Sequence, residues 1–447
     1  MNNRNPVKTI AWLLVLLFLP ILGLIFYFFF GRDTRRLRYI GKRSLSQIQQ
    51  RSNLAYPTDA EQTIPCEYVR MKEYFENVAE ARLMGYSGIE IITNGEEFFD
   101  KLLREIESAR NHIHILFYIF EDDNIGTRLR DALVAKAREG VEVRLIYDGV
   151  GCWKVPTQFF DEISNAGGFV APFLKVHFPL LTNKINYRNH RKIVVVDGEV
   201  GFIGGFNVAD RYISGGVWEH WRDTMLLIRG GAVYGLQIAF LVDWFFADRS
   251  LVSGERYFPA VEHKGEALVQ TVTSNPVGEW RTILNGMLLS LTTAKSYIYM
   301  QTPYFMPSEA VVTAMQRAAL SGVDVRLMIP EKSDSLISDY ASKSYYGELL
   351  EAGIKIYLYK KGFLHSKSLV SDDMLSVVGS ANIDFRSFDY NFEVNSYIYD
   401  ATVARTLKQI FLDDIKDSKL LVPREYHSRS LSHRLLESGA RLFSPLL

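Results

Sequence analysis

The sequence predicts an α/β protein built from two similar halves, and three observations carry that reading. The pattern His190-Arg191-Lys192, closing at Asp197, recurs as His365-Ser366-Lys367, closing at Asp372. Each copy runs into a glycine-rich turn that ends in asparagine: Gly201 to Asn207, then Gly379 to Asn382. Before each copy the same order appears of apolar strand, helix, glycine and second strand. One H-x-K-x4-D match arises easily by chance. Two complete copies, each with its downstream Asn, do not.

From the N-terminus, residues Ile10 to Phe30 are uncharged and almost wholly apolar, interrupted by Pro20 and Gly23. That is about the ~20 residues a spanning helix needs. No small-residue cleavage site precedes Arg32, so the run predicts a transmembrane helix and not a cleaved leader. Arg32, Arg35, Arg36, Arg38, Lys42 and Arg43 follow it, against Arg4 and Lys8 before it. This excess places the bulk of the chain on the cytoplasmic side, and the same cluster suits anionic headgroups. Residues from Lys42 to Pro65 are polar and read as an irregular linker.

The first half then opens. His112 to Phe120 reads as a buried strand, Gly126 to Glu139 as a helix, and Gly140 to Ile146 as the next strand. In the second half Tyr297 to Tyr304, Ser308 to Ser321 and Gly322 to Met328 repeat that order. This is a duplicated unit, with its hinge near Gly254 to Gly265. The expected division is 1–65 for anchor and linker, 66–262 and 263–425 for the two halves, and 426–447 for an amphipathic tail. His112 and His114 lie in the first strand and read as core. In the tail, Leu431, Leu435, Leu436, Leu442 and Phe443 alternate with Arg434, Glu437 and Arg441. That pattern fits a short interfacial helix and fits docking onto the domain equally well.

The chain has 447 residues, with 51 basic and 51 acidic side chains, so no global basic field recruits nucleic acid. The two cysteines, Cys66 and Cys152, provide no disulfide framework and read as reduced, buried thiols.

The chemistry follows from the repeated motif. Side chains two apart on a strand point the same way. His190 and Lys192 therefore share a face that continues through Val194 and Val196, while Ile193 and Val195 take the other. One imidazole can attack phosphorus. A second can protonate the leaving oxygen, since histidine titrates near neutrality. Lys192, Lys367, Asn207 and Asn382 supply charge and donors to the phosphate oxygens, so no metal and no cofactor is expected. Asp197-Gly198 reads as a tight turn, and a turn or supporting role outweighs direct catalysis for both Asp197 and Asp372. Each Asn-bearing turn is followed by an acid, Asp223 or Glu393, placed to orient an imidazole and fix its tautomer.

The paired motifs identify a resemblance to the phospholipase D superfamily, which breaks phosphodiesters through a phosphohistidine. Nearly end to end, the chain is similar to its bacterial cardiolipin synthases. The likeness includes Ala11 to Leu14 and Leu19-Pro20 in the apolar run, Asp122 to Gly126, Gln301 to Phe305, Gly362 to Lys367, Asn382 to Phe388 and Ser444 to Leu447. The resemblance implies two phospholipase D-type α/β/α halves about a pseudo-twofold axis and a catalytic set of His190, Lys192, Asp197, His365, Lys367 and Asp372. Asn207 and Asn382 would hold phosphate, and Asp223 and Glu393 would orient the histidines. Symmetry does not separate the two histidines; the family pattern makes His190 the nucleophile. The implied reaction converts two phosphatidylglycerols into cardiolipin and glycerol at the bacterial cell membrane. Family members often carry two spanning segments, and this sequence displays one. A phospholipase D, or a transferase with a different acceptor, would use the same parts. A nuclease fits poorly with the apolar run and balanced charge, and an inactive scaffold fits poorly with two intact motifs.

Overall fold

The computed structural model describes residues 6–27, 41–55, 63–174 and 186–444. Helices α1 (Pro6–Phe18), α2 (Pro20–Phe26), α3 (Lys42–Ala55) and α4 (Val69–Ala79) come first. The first half comprises β1 (Met84–Ile92), α5 (Gly95–Ser108), β2 (His112–Phe117), α6 (Asn124–Arg138), β3 (Glu142–Asp148), α7 (Thr157–Asn165), β4 (Phe169–Phe173), β5 (Ile193–Val196), β6 (Val200–Gly204), α8 (Arg211–Ser214), β7 (Trp221–Arg222), β8 (Met225–Arg229) and α9 (Val233–Asp248). The second comprises β9 (Ala267–Ser274), α10 (Thr282–Thr293), β10 (Tyr297–Gln301), β11 (Phe305–Met306), α11 (Glu309–Leu320), β12 (Asp324–Pro330), α12 (Leu336–Lys343), α13 (Tyr346–Glu351), β13 (Lys355–Tyr359), β14 (Phe363–Leu364), β15 (Ser368–Ser371), β16 (Leu375–Gly379), β17 (Ile383–Asp384), α14 (Phe385–Asp389), β18 (Glu393–Tyr399), α15 (Ala401–Lys416) and β19 (Ser418–Leu420). Helices α16 (Pro423–His427) and α17 (Leu431–Phe443) close the chain.

Among the described residues one 15-stranded sheet runs through both halves, in the order β19-β13-β12-β10-β15-β16-β18-β9-β1-β8-β6-β5-β2-β3-β4. Read outward from the antiparallel β1–β9 contact, both directions give the same sequence of pairings: four antiparallel steps, then two parallel ones. The expected repeat is therefore a pseudo-twofold about the β1–β9 seam, with β19 added at one edge.

Helices cover both faces. One core lies under α9 and α15 and takes Ile193 and Val195; the other face of β5 gives Val194 and Val196 to the core under α5 and α6. The period-2 alternation of the strand decides this split. Helix α9 is apolar on nearly every side and buried, because α3 packs over it with Ile48 fully enclosed. Helix α4, although it precedes β1, packs on the second half: Phe75 meets Tyr397 at 4.4 Å and Tyr68 meets Tyr399 at 5.7 Å between ring centroids.

Three expectations are corrected here. Over its described residues the apolar run forms two helices and not one long one. Pro20 lacks the amide that would continue α1, and α2 turns back against α1, with the Trp12 and Tyr27 rings 5.3 Å apart. Among the described residues no helix is long and apolar enough to cross a membrane. Phe28 to Phe30 and the arginines at 32, 35, 36 and 38 lie outside the described residues, as do 56–62 of the linker and 445–447. The part of that linker from Lys42 to Ala55 is helical, not irregular. Cys152 is buried, but Cys66 is exposed; both are free.

His112 and His114 are core, as their strand suggests. Gln237 joins them, accepting from one ring at 3.1 Å and meeting the other at 2.8 Å, and the His114 ring stacks on Phe240.

Candidate active site

The two motifs meet because short stretches of backbone stitch one half to the other. β7 of the first half pairs in parallel with β14 of the second, Trp221 beside Phe363 and Arg222 beside Leu364. The His365 amide donates to the Arg222 carbonyl at 2.7 Å. On the opposite side of the seam Asn189 bridges to Phe392, and the His190 amide donates to the Phe392 carbonyl at 3.0 Å. Each histidine thus begins its strand beside the acid of the other half.

The side chains follow that crossing. His190 Nδ1 lies 3.0 and 3.2 Å from the Glu393 carboxylate oxygens. His365 Nδ1 lies 2.6 Å from Asp223 Oδ2. Lys367 Nζ is also 2.8 Å from that Nδ1, but the ring nitrogen bears one hydrogen and the carboxylate is the stronger acceptor. The ammonium donates to the His365 carbonyl, as Lys192 does to that of His190. With both Nδ1 atoms engaged, Nε2 of each ring is the free atom. His190 and His365 line one cavity of about 640 Å³, which Asn207, Asn382, Tyr118 and Trp221 also line.

Electrostatics in the cavity is set by burial. Burial, partly offset by Glu393, lowers His190; burial with Lys367 beside it pushes His365 down to about 3. The same desolvation lowers Lys192 to about 7 and Lys367 to about 8. Burial raises Asp223 and Glu393, yet the neighbouring Lys367 and His365, or His190 and Lys192, outweigh it and hold both carboxylates below their ordinary range. Two neutral imidazoles line the cavity and a buried lysine stands two residues from each, an arrangement that favours an anion.

Asn207 is tied by its carbonyl to the Ile119 amide at 3.1 Å and by its amide nitrogen to the Tyr212 hydroxyl at 2.8 Å. Among the described residues no group donates to the buried Oδ1 of Asn382. Asp197 and Asp372, counted in the catalytic set by resemblance, stand elsewhere, and that is a correction. Each carboxylate accepts from three consecutive amides at 2.7 to 2.9 Å, those of 110–112 and 295–297, and so pins the start of β2 or β10. Both sit in turns at positive φ, Asp197 at 54° and Asp372 at 52°.

Several functional neighbours escaped the sequence reading. Arg191 lies fully buried between the motif residues. It binds Asp243 at 2.6 Å, the Glu393 carbonyl at 3.0 Å and the Ser274 carbonyl at 3.0 Å, locking the halves together. Arg222 joins Asp414 at 2.8 Å across the same seam. Ser380 and Asn391 donate to Glu393. The one sequence signal for Arg191 was its place between His190 and Lys192, where alternation turns it away from the cavity.

Two imidazoles backed by carboxylates and two asparagines line one cavity, with a buried lysine two residues after each histidine; together they define a phosphodiester-transferring enzyme of the phospholipase D type. Residues 102–235 and 287–415 match the family described as cardiolipin synthase, PLD-like domain, and residues 1–32 match phospholipase D-nuclease N-terminal. The chain is 41% identical to cardiolipin synthase 2 of Bacillus anthracis, covering 100% of this chain and 88% of that one. It is 41% identical to a cardiolipin synthase of Listeria monocytogenes, covering 100% and 95%. The chain belongs to the cardiolipin synthase family of the phospholipase D superfamily. In fold it resembles the phosphatidylserine synthase of Haemophilus influenzae, with a TM-score of 0.65 at 13% identity, covering 85% of this chain and 100% of that one.

Proposed function

We propose that this membrane-associated phosphatidyltransferase joins two phosphatidylglycerols into cardiolipin, releasing glycerol, through a phosphatidyl-histidine at His190. The observation that carries the reading is the pair of imidazoles lining one cavity, each held at Nδ1 by a carboxylate of the opposite half.

His190 Nε2 attacks the donor phosphorus and the bond from phosphorus to the terminal glycerol oxygen breaks. His365 Nε2–H gives its proton to that oxygen and free glycerol leaves. The terminal hydroxyl of a second phosphatidylglycerol then loses its proton to His365 and attacks phosphorus. The phosphorus–nitrogen bond breaks, cardiolipin departs and His190 is regenerated. His365 is neutral in the absence of a bound anion. The bound phosphodiester brings the negative charge that favours its imidazolium for the first step. Lys192 and Lys367, with Asn207 and Asn382, neutralise the phosphate oxygens; Glu393 and Asp223 fix the tautomers. Asp197 and Asp372 act only by positioning strands.

The exposed apolar residues of α1 and α2, among them Leu17, Phe18 and Ile21, hold the enzyme on the bacterial cell membrane. The arginine-rich stretch after them favours the cytoplasmic face.

Purified enzyme in detergent with phosphatidylglycerol, without added metal or nucleotide, forms cardiolipin and glycerol in equal amounts. Phosphatidic acid as the main product overturns transfer in favour of hydrolysis. Loss of activity to a chelator contradicts the metal-free scheme.

A further inference from the structure

The C-terminal helix is built inside out. In α17 the large side chains turned to the protein are polar, with the small Ala440 beside them. Glu437 is buried and paired with Arg429 at 2.9 Å. Arg441 reaches Glu348 at 2.8 Å and lies 4.1 Å from the Tyr345 ring centre, and the His433 ring faces Tyr340. The residues turned to solvent are leucines: Leu431, Leu435 and Leu442 are 70%, 64% and 79% exposed. At 3.6 residues per turn these three fall on one line of the helix. A helix docked to a globular domain normally turns that stripe inward.

This stripe is part of a larger surface. Helix α17 packs on α12, whose exposed Leu336 and Ile337 extend the apolar face. Ser338 of α12 and Asp334 just before it line the active-site cavity. On the other side of the cavity, in the first half, Val217 lines it too and is 92% exposed, near the exposed Ile213. Apolar side chains therefore crown the cavity from both halves. A protein partner lying over both would seal it.

We infer that this crown is the face by which the enzyme lies on a phospholipid bilayer, with α17 embedded along the surface and the cavity opening onto the leaflet. Apolar burial holds it there, and exposed Arg434 meets anionic headgroups. A phosphatidylglycerol can then present its phosphate to the cavity while its acyl chains remain in the membrane. The choice of bilayer as occupant rests on the phosphatidyl-transfer reading, but insertion of α17 requires no turnover.

The test uses the full chain with Cys66→Ser and Leu435→Cys, labelled with a polarity-sensitive fluorophore; Cys152 is buried and does not compete. Added vesicles of phosphatidylglycerol and phosphatidylcholine shift the emission to the blue, and lipids brominated on their chains quench it. Unchanged emission overturns the inference. A blue shift on concentrating the protein without lipid assigns the face to a second copy and also overturns it. In parallel, the triple change of Leu431, Leu435 and Leu442 to Ser lowers turnover of vesicle substrate by at least about tenfold, a modest share of what burying three leucines supplies. Turnover of short-chain phosphatidylglycerol dissolved as monomers stays unchanged. Equal loss on both substrates, or loss on neither, overturns the inference. If the unaltered enzyme forms no cardiolipin, the reaction assignment fails while the fluorophore still reports on α17.

Discussion

Glu393 and Asp223 occupy equivalent places in the two halves, yet they are held differently. Glu393 shares its charge among the His190 ring at 3.0 Å, the Asn391 amide at 3.0 Å and the Ser380 hydroxyl. Asp223 serves the His365 ring at 2.6 Å and the Thr224 amide at 2.8 Å. Where the second half has Ser380, the first has Gly205, and a Cβ there would stand 1.9 Å from Asp223 Oδ1. A carboxylate with fewer donors offers more counter-charge to its histidine. Once an anionic phosphodiester offsets Lys367 beside the ring, this arrangement suits His365 to the proposed role of proton carrier and His190 to that of nucleophile. The lesson is that a duplicated site divides labour through the residues around its acids, since the motif residues themselves match.

Removing either histidine is the severest way to break the comparison. His190→Ala and His365→Ala each lower kcat by about ten-thousandfold or more, as when a covalent catalyst loses its nucleophile or acid. Only His365→Ala retains an acid-labile phosphorus label on the enzyme, mapped to His190. Label on His365 in the His190 variant would reverse the division of labour.

The acids come next. Asp223→Asn removes the acceptor that fixes the His365 tautomer and lowers kcat about a thousandfold, with KM little changed. Glu393→Gln costs about tenfold less, because Ser380 and Asn391 still hold that site in shape. Equal losses from steady-state kinetics would erase the proposed asymmetry.

The lysines predict a smaller, pH-dependent effect common to both halves. Lys192 at about 7 and Lys367 at about 8 lose their protons in the free enzyme as pH rises. An anionic substrate favours their charged forms, so binding takes up protons and weakens with alkalinity. KM for phosphatidylglycerol rises by up to about tenfold per pH unit for each lysine above its value. A KM flat from pH 7 to 9 would contradict this. Stability responds with a related sign. His365, at about 3 when folded, opposes folding once unfolded chains protonate. Thermal stability therefore falls as pH drops below about 6.5 and continues to fall towards 3.

Smallest is Ser380→Ala. It frees one donor from Glu393 and lowers kcat a few-fold, roughly the worth of a single hydrogen bond. An unchanged rate would show that Asn391 alone suffices.

Much of this was legible in the sequence, for definite reasons. The strand-helix-strand order and the alternation through Val194 and Val196 follow from local periodicity, and the structure repeats both. The histidines and the acids were visible as residue types at matching places in two copies. The crossing of partners was not, since it depends on β7 meeting β14 and Asn189 meeting Phe392, which no local pattern encodes. The break in the apolar run was not legible in hydropathy, which counts apolar residues without the amide that Pro20 lacks. The inversion of α17 was equally hidden: an amphipathic stripe tells which residues share a side, not which side faces the protein.

The crossing also has a bearing on how the enzyme is made. His190 and Glu393 are 203 residues apart along the chain, and Asp223 and His365 are 142 apart. Contacts at such separations close late, after each half has formed its local structure. A nascent chain that has completed only its first half holds His190 without Glu393 and Asp223 without His365. Under the proposed mechanism, both histidine–carboxylate pairs are complete only once the second half has been synthesised and docked.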